Sequence, residues 1–295
     1  MTYLPPIRLP VRCIGGREFD FAHQIVIMGI VNRTPDSFYD RGATYALDRA
    51  VEAGRRAVAE GAGWIDVGGV PFSPDVPKVS AAVELDRVVP VVAALAADGV
   101  VVSVDTVRPS VAQASIEAGA GVINDTSGLH DPELAEVVAG STASLVITHS
   151  AAPPGQHLHR PTYDDVVTEI RDFLASRIEL ALAHGVPEER IVIDPGHDLN
   201  KNTRHSLEIT RRLTEIADLG LPLLAAVSNK DFVGEAVGLE RGERLEASLA
   251  AATVCALHGA RILRMHQVRE SARAARMVET ILGLQDPAYL RHNVS

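Results

Sequence analysis

The chain has 295 residues, long enough for one large α/β domain with short extensions. Hydrophobic residues make up 46% of it and aromatics only 4%, so its core must be built from Val, Ala, Leu and Ile. A formal net charge of −10 argues against nucleic acid and anionic membrane as partners, and any anion site must rest on a local group of cations.

The N-terminal MTYLPPIRLP carries no apolar signal core, and the longest strongly apolar stretch, IVIMGIV, is far too short to span a membrane. A soluble, cytoplasmic protein is expected. In VRCIGGREFD, residues 11–20, Gly15-Gly16 separate two short β-like segments. This is a hairpin signal, and the hairpin is expected to close the bottom of whatever follows. Cys13 and Cys255 give neither a disulfide framework nor metal-type spacing, and both read as buried small side chains.

Eight apolar, β-branched runs follow, each ending on a polar residue. QIVIMGIV ends at Asn32, WIDVGG carries Asp66, VVVSVDT ends at Asp105 and Thr106, and AGVIND ends at Asn124 and Asp125. SLVITH ends at His149, RIVIDPG carries Asp194, PLLAAVS ends at Ser228 beside Lys230, and ARILRMH ends at His266. Helical periodicity fills 43–62, 79–98, 108–118, 132–140, 163–184, 204–218, 242–257 and 269–283. Ser80 and the Thr106–Pro109 stretch look like helix starts. Continuous apolar runs suit strands buried on both faces. Eight strand–helix units predict an α/β (β/α)8 TIM barrel, whose active site gathers at the C-terminal strand ends. Residues 1–22 form the predicted hairpin, 23–283 the barrel and 284–295 a tail, all within one domain.

Three loops on that face hold Pro or Gly: 32–42, 68–78 and 150–161. Long loops at this position are usually lids or binding segments, although the third reads as a surface connection. His157-Leu158-His159 in that third loop has no carboxylate or Cys at ligand spacing, so no metal is assigned to it.

Asp66, Asp105, Asn124, Asp194 and Lys230 converge on one mouth if the barrel forms. Carboxylates and an amide around a concavity suit a heterocycle rich in N–H donors, which can satisfy buried acceptors pairwise. Asn32, Arg264 and His266 come from the first and last strands, neighbours in a closed barrel. Together they make a phosphate cradle, and the Asn oxygen can meet a hard cation. Singly, any of these residues also fits as a strand-end cap or satisfied core polar group; their joint placement favours the functional reading.

With these residues in place, the sequence resembles the dihydropteroate synthase family. MGIVNRTPDSF at 28–38 is similar to the family's MGILNVTPDSF. SVDT at 103–106, IND at 123–125, DPG at 194–196, SNKDF at 228–232 and RMHQV at 264–268 follow in the family's order. The resemblance covers roughly 24–282. It implies a barrel that condenses a dihydropterin methyl diphosphate with p-aminobenzoate, releasing diphosphate with the help of Mg2+. It further implies that Asp105, Asn124, Asp194 and Lys230 hold the pterin. Asn32 would meet the metal and diphosphate, Arg264 and His266 would cradle the diphosphate, and the chain would pair as a homodimer. No catalytic nucleophile is assigned.

The departures from the family pattern gather on the amine substrate. Where the family reads Gly-Gly-Glu-Ser-Thr-Arg-Pro-Gly, this chain has Gly68 to Asp75, with Phe72 and Ser73 in place of Thr and Arg. Asp231 replaces the Ser that offers a hydroxyl to the aminobenzoate carboxylate. A like charge and a lost cation together cost about 3–4 kcal/mol, a factor of several hundred in affinity. His197, Asp198, Leu199 and Asn200 replace a Gly-rich stretch after the sixth strand. The expectation is a folate-pathway homologue that keeps its pterin diphosphate site while synthase activity with p-aminobenzoate is weak or lost. The alternatives are a transferase for a different amine, or a non-catalytic regulatory homologue.

Overall fold

A computed structural model describes residues 3–32, 43–71, 79–156 and 158–293. The chain opens with a β-hairpin, β1 (Val11–Ile14) and β2 (Arg17–Asp20), paired antiparallel with Ile14 opposite Arg17. Gly15 and Gly16 turn it with φ of 55° and 75°, backbone angles that favour glycine. Eight parallel strands then close into a barrel: β3 (Val26–Asn32), β4 (Trp64–Gly68), β5 (Val101–Asp105), β6 (Val122–Asp125), β7 (Ser144–Thr148), β8 (Ile191–Asp194), β9 (Leu223–Ala225) and β10 (Ala260–Met265). β10 pairs with both β9 and β3, which completes the circle.

Helices cover the outside: α1 (Ala43–Ala59), α2 (Ala81–Ala97), α3 (Pro109–Glu117), α4 (Glu133–Ala139), α5 (Val166–Ala183), α6 (Thr203–Arg211), α7 (Leu213–Ala217), α8 (Asp231–Val237), α9 (Leu245–Leu257) and α10 (Val268–Ile281). Ser80 caps α2 by accepting from the Val83 N–H, and Pro109 opens α3 where its missing N–H costs nothing. Two helical features depart from the periodicity. The 204–218 pattern breaks at Arg212 into α6 and α7, where Arg212 is non-helical (φ −110°, ψ 22°). The short α8 lies between β9 and α9, within what reads as a loop.

The strands alternate between two cores. Outward side chains such as Ile65, Val67, Val102, Val104, Ile123 and Ile147 pack under the helices. Inward ones, including Met28, Trp64, Val101, Val122, Val146, Val192, Leu224 and Ile262, fill the barrel. The hairpin closes the bottom as expected: Phe19 and Phe21 meet the fully buried Trp64 edge-on, with centroids 5.8 and 6.3 Å away. Ile14 also faces this inner core and so fixes the alternation of β1. Arg12 is therefore buried, donating from Nη1 to the Ile191 carbonyl at 2.6 Å, while Cys13 points outward. The expectation of a buried Cys13 is thus corrected, and Cys255 is buried as read. Among the described residues no helix is long and apolar enough to cross a membrane.

Candidate functional site

Above the aromatic plug the barrel interior turns polar, and strand register decides which side chains meet. Asn32 lies opposite Gly68, Gly68 opposite Asp105, and Asp105 opposite Asn124. One step deeper, Asp66 lies opposite Ser103. Asp66 is fully buried and accepts from three neighbours: Ser103 Oγ at 2.6 Å, Arg264 Nε at 2.7 Å and Asn124 Nδ2 at 3.3 Å. Three donors, one of them charged, satisfy a carboxyl group held away from water.

Arg264 is thereby drawn into this polar ring. It spans the mouth, donating from Nε to Asp66 and from Nη2 to Asp105 at 3.3 Å. Asp105 also accepts from Thr126 Oγ1 at 3.4 Å. Removal from water raises the Asp105 carboxyl to about 7; Arg264 offsets this in part, and the charges of Asp66 and Glu84 add to it.

Across the mouth, Asp194 ends β8 and accepts from the Gly196 N–H at 2.7 Å. Burial raises its carboxyl to about 6 against the pull of that N–H, Lys230 and Lys201. Gly196 has φ of 68° and packs on the His149 carbonyl so closely that a Cβ would collide with it. Lys230 stands at the start of α8, and burial lowers its ammonium pKa, chiefly against the attraction of Asp198. His266 lies at the rim, with Nδ1 3.0 Å from Ser228 Oγ, and its backbone N–H donates to the same hydroxyl. Desolvation and the charges of Arg264 and Lys230 hold its imidazole neutral, below the usual range.

The structure thus gathers Asp105, Asn124, Asp194, Lys230, Arg264, His266 and Asn32 at one mouth. Phe72, Ser73 and His157 lie outside the described residues. The ends flanking residues 72–78 are tied down. The Gly69 carbonyl accepts from Arg87 Nη1 at 2.8 Å, and the Val79 carbonyl from Arg108 Nη2 at 2.6 Å. Arg108 also pairs with Glu84, a buried carboxylate that accepts from Thr106 Oγ1 at 2.6 Å.

Asp231 is not the bare carboxylate that the sequence suggests. It pairs with Arg244 at 3.0 Å and Arg241 at 3.3 Å, and hydrogen bonds from both hold its carboxyl below the usual range. The second carboxylate beside it comes from Asp198. Its Oδ2 accepts from the backbone N–H of Asp231 at 2.8 Å and of Phe232 at 3.3 Å, and its Oδ1 accepts from Ser206 Oγ at 3.1 Å. Both Asp198 and Asn200 have positive φ, 65° and 50°, so this segment keeps the backbone shape of a Gly-rich stretch while carrying side chains. The Asn200 side chain ties the 150–161 loop to it, accepting from the Leu158 N–H at 2.8 Å.

Lys201 is a further buried residue that the motifs do not single out. Its Nζ donates to the carbonyls of Gly196 at 2.8 Å and Leu199 at 3.0 Å and meets His149 Nδ1 at 2.9 Å. Burial lowers its pKa to about 7. The sequence signal was only its position seven residues after Asp194.

Comparison with known proteins places this geometry. Residues 28–266 match the family model described as "Pterin binding enzyme". The "Inactive dihydropteroate synthase 2" of Mycobacterium tuberculosis is 44% identical over 269 residues, 89% of this chain and 84% of that protein. The dihydropteroate synthase of Escherichia coli K12 is 37% identical over 272 residues, covering 92% of this chain and 96% of its own length. Among solved structures, the Xanthomonas albilineans dihydropteroate synthase with 4-aminobenzoic acid superposes with a TM-score of 0.86 at 36% identity, over 92% of this chain and 98% of that one.

Proposed function

Because the chain belongs to the pterin-binding enzyme family, as a dihydropteroate synthase homologue, we propose that its mouth binds a dihydropterin methyl diphosphate but joins it to p-aminobenzoate weakly or not at all. The observation that carries the first half is the ring of acceptors formed by half-buried Asp105 with buried Asp194 and Asn124. Asn124 Oδ1 is buried without a hydrogen-bond partner among the described residues. A pterin edge offers several N–H donors in one plane, so it can satisfy that oxygen and take the place of Arg264 against Asp105. Lys230, a half-buried cation opposite, suits an acceptor atom of the same ring.

Arg264 released from Asp105 would be free to pair with the diphosphate, beside His266 and Asn32. A Cβ on Gly68 would lie 3.4 Å from Asn32 Oδ1 and 3.9 Å from Asp105 Cβ, so the glycine leaves room above this oxygen. That suits Mg2+, which takes few protein ligands and completes its shell with phosphate oxygens and water. Asn32 would hold it, and bound Mg2+ would neutralise charge on the leaving diphosphate. C–O cleavage sends the bonding pair to the diphosphate and leaves positive charge on the pterin methylene, which the Asp105 carboxylate faces. An incoming amine would then form the C–N bond and shed its proton. No protein nucleophile is required.

The second half rests on the start of α8. Both of its first N–H groups are taken by Asp198, and Asp231 adds a second fixed carboxylate. A carboxylate-bearing amine arriving there would meet two anions and find the first N–H groups of α8 already taken, which supports poor binding of p-aminobenzoate. The Mycobacterium tuberculosis relative, named as inactive, points the same way. Purified protein supplied with dihydropterin methyl diphosphate, Mg2+ and p-aminobenzoate should form little or no dihydropteroate. Turnover in the ordinary enzyme range of about 1–1000 per second would overturn this half.

The pair Asp198 and Asp231 also favours a second reading, transfer to a neutral or cationic amine. Diphosphate release that appears only with such an amine would support it, and inertness to a broad amine panel would count against it. We further place the protein in the cytoplasm, where its two unpaired cysteines stay reduced. We also read it as a homodimer, because the outer faces of α9 and α10 expose Val254, Met277 and Ile281. Sedimentation at the monomer mass would remove the dimer.

A further inference from the structure

Lys230 is carried by a stretch of backbone that cannot hold itself. β9 stops at Ala225 and α8 begins at Asp231, so the residues between have no ladder or helix to fix them. Asn229 sits there with φ of 56°, a conformation that a side chain disfavours and that persists only where neighbours enforce it. Two side chains from the α9 end of the fold do so. The Asn229 N–H donates to Ser248 Oγ at 3.0 Å. Its carbonyl accepts from Arg244 Nη1 at 3.1 Å.

The same Nη1 serves the next two residues as well. It lies 3.0 Å from the Lys230 carbonyl and 3.0 Å from Asp231 Oδ1, while Nε donates to the Leu239 carbonyl at 3.2 Å. Arg244 is 7% exposed, and α8 makes space for it at Gly234, where a Cβ would run into the guanidinium. With two hydrogens on Nη1, one shared between two acceptors, and one on Nε, the planar guanidinium ties three consecutive residues to Leu239 at once. A lysine ammonium on a flexible stem cannot reproduce that fork.

We propose that Arg244, seated over Gly234, is the positioning residue that aims Lys230 into the barrel mouth. It touches neither ring nor diphosphate and acts through the backbone of residues 229–231. The inference rests on the reading that this mouth binds a pterin diphosphate, and the experiment separates the two. Dihydropterin methyl diphosphate with Mg2+ is titrated calorimetrically into the wild type, Arg244→Met, Lys230→Met and the double variant.

Arg244→Met should weaken binding about tenfold, whereas in the Lys230→Met background the same change should cost less than about twofold. A purely structural role would instead lower affinity by the same factor in both backgrounds, and that result overturns the proposal. Wild-type affinity in Arg244→Met would overturn it too. If Arg244→Met does not fold, Gly234→Ala keeps the arginine in the chain but displaces it. It should reproduce the tenfold loss, and unchanged binding there counts against the slot. A wild type that fails to bind the pterin diphosphate overturns the site reading and takes the positioning role with it.

Discussion

The two walls of the mouth are built from different material. One wall is made of strand residues: Asp66 on β4, Asp105 on β5, Asn124 on β6 and Asp194 on β8. Their directions are set by register, and register is set by the apolar layers inside the barrel below them and under the helices outside. The other wall is made of connections, with Asp198 after β8 and Asp231 after β9. There the backbone is held by individual side chains such as Arg244, Ser248 and Ser206. A barrel can therefore hold a wall of strand residues through sequence change while a wall made of connections is rebuilt.

The strand wall is most vulnerable at its base. Asp66→Ala would leave Arg264, Asn124 and Ser103 without their shared acceptor deep in the barrel. Breaking a buried pair on one side costs about 3–5 kcal/mol, which denaturant unfolding would read directly. A loss below about 1 kcal/mol would show that the polar ring is not structural. Next, Asp194→Asn should weaken pterin diphosphate binding about 10- to 100-fold, the value of a charge-assisted hydrogen bond, while Asp231→Ser changes it less than about twofold. Equal losses from the two would erase the distinction between the walls.

A smaller effect concerns pH. Asp105 and Asp194 have carboxyls raised to about 7 and about 6, so the folded chain holds protons that the unfolded chain has released. Their stabilising contribution is complete below about pH 4 and is lost as pH rises through 6 and 7. The ligand-free Tm should fall over that window on their account, and the Asp105→Asn, Asp194→Asn double variant should show a flatter profile. An unchanged slope would contradict the assignment. Pterin affinity should run the other way, rising from pH 5 to 8 as both acceptors ionise. Smallest is Asp198→Gly. The φ of 65° suits glycine, so relief of strain offsets the lost cap and stability should stay within about 1 kcal/mol. A larger fall would mean that the loop depends on Asp198 itself.

The strand wall was legible in the sequence because each of its residues ends or interrupts an apolar run whose length specifies a buried parallel strand. Arg264 was placed on the right strand, but its ion pairs were not legible, since only the packed barrel shows Asp66 and Asp105 within its reach. The loop wall was largely illegible. Asp231 reads as an unpaired charge until folding brings back Arg241 and Arg244, and Asp198 reads as a lost glycine until its φ and its N–H partners are known. The seven-residue α8 is too short to show a period, and it needs Gly234 for packing against Arg244 rather than for a turn. Cys13 was misread for a simpler reason: Ile14 and not Cys13 sets the inward face of β1.

The most direct test of the divided mouth is a calorimetric titration of the wild type with dihydropterin methyl diphosphate and Mg2+, followed by p-aminobenzoate. Binding of the pterin diphosphate near micromolar, with no heat from p-aminobenzoate at millimolar concentration, is the predicted result. Tight binding of p-aminobenzoate to the loaded protein, or no binding of the pterin diphosphate at all, would contradict it.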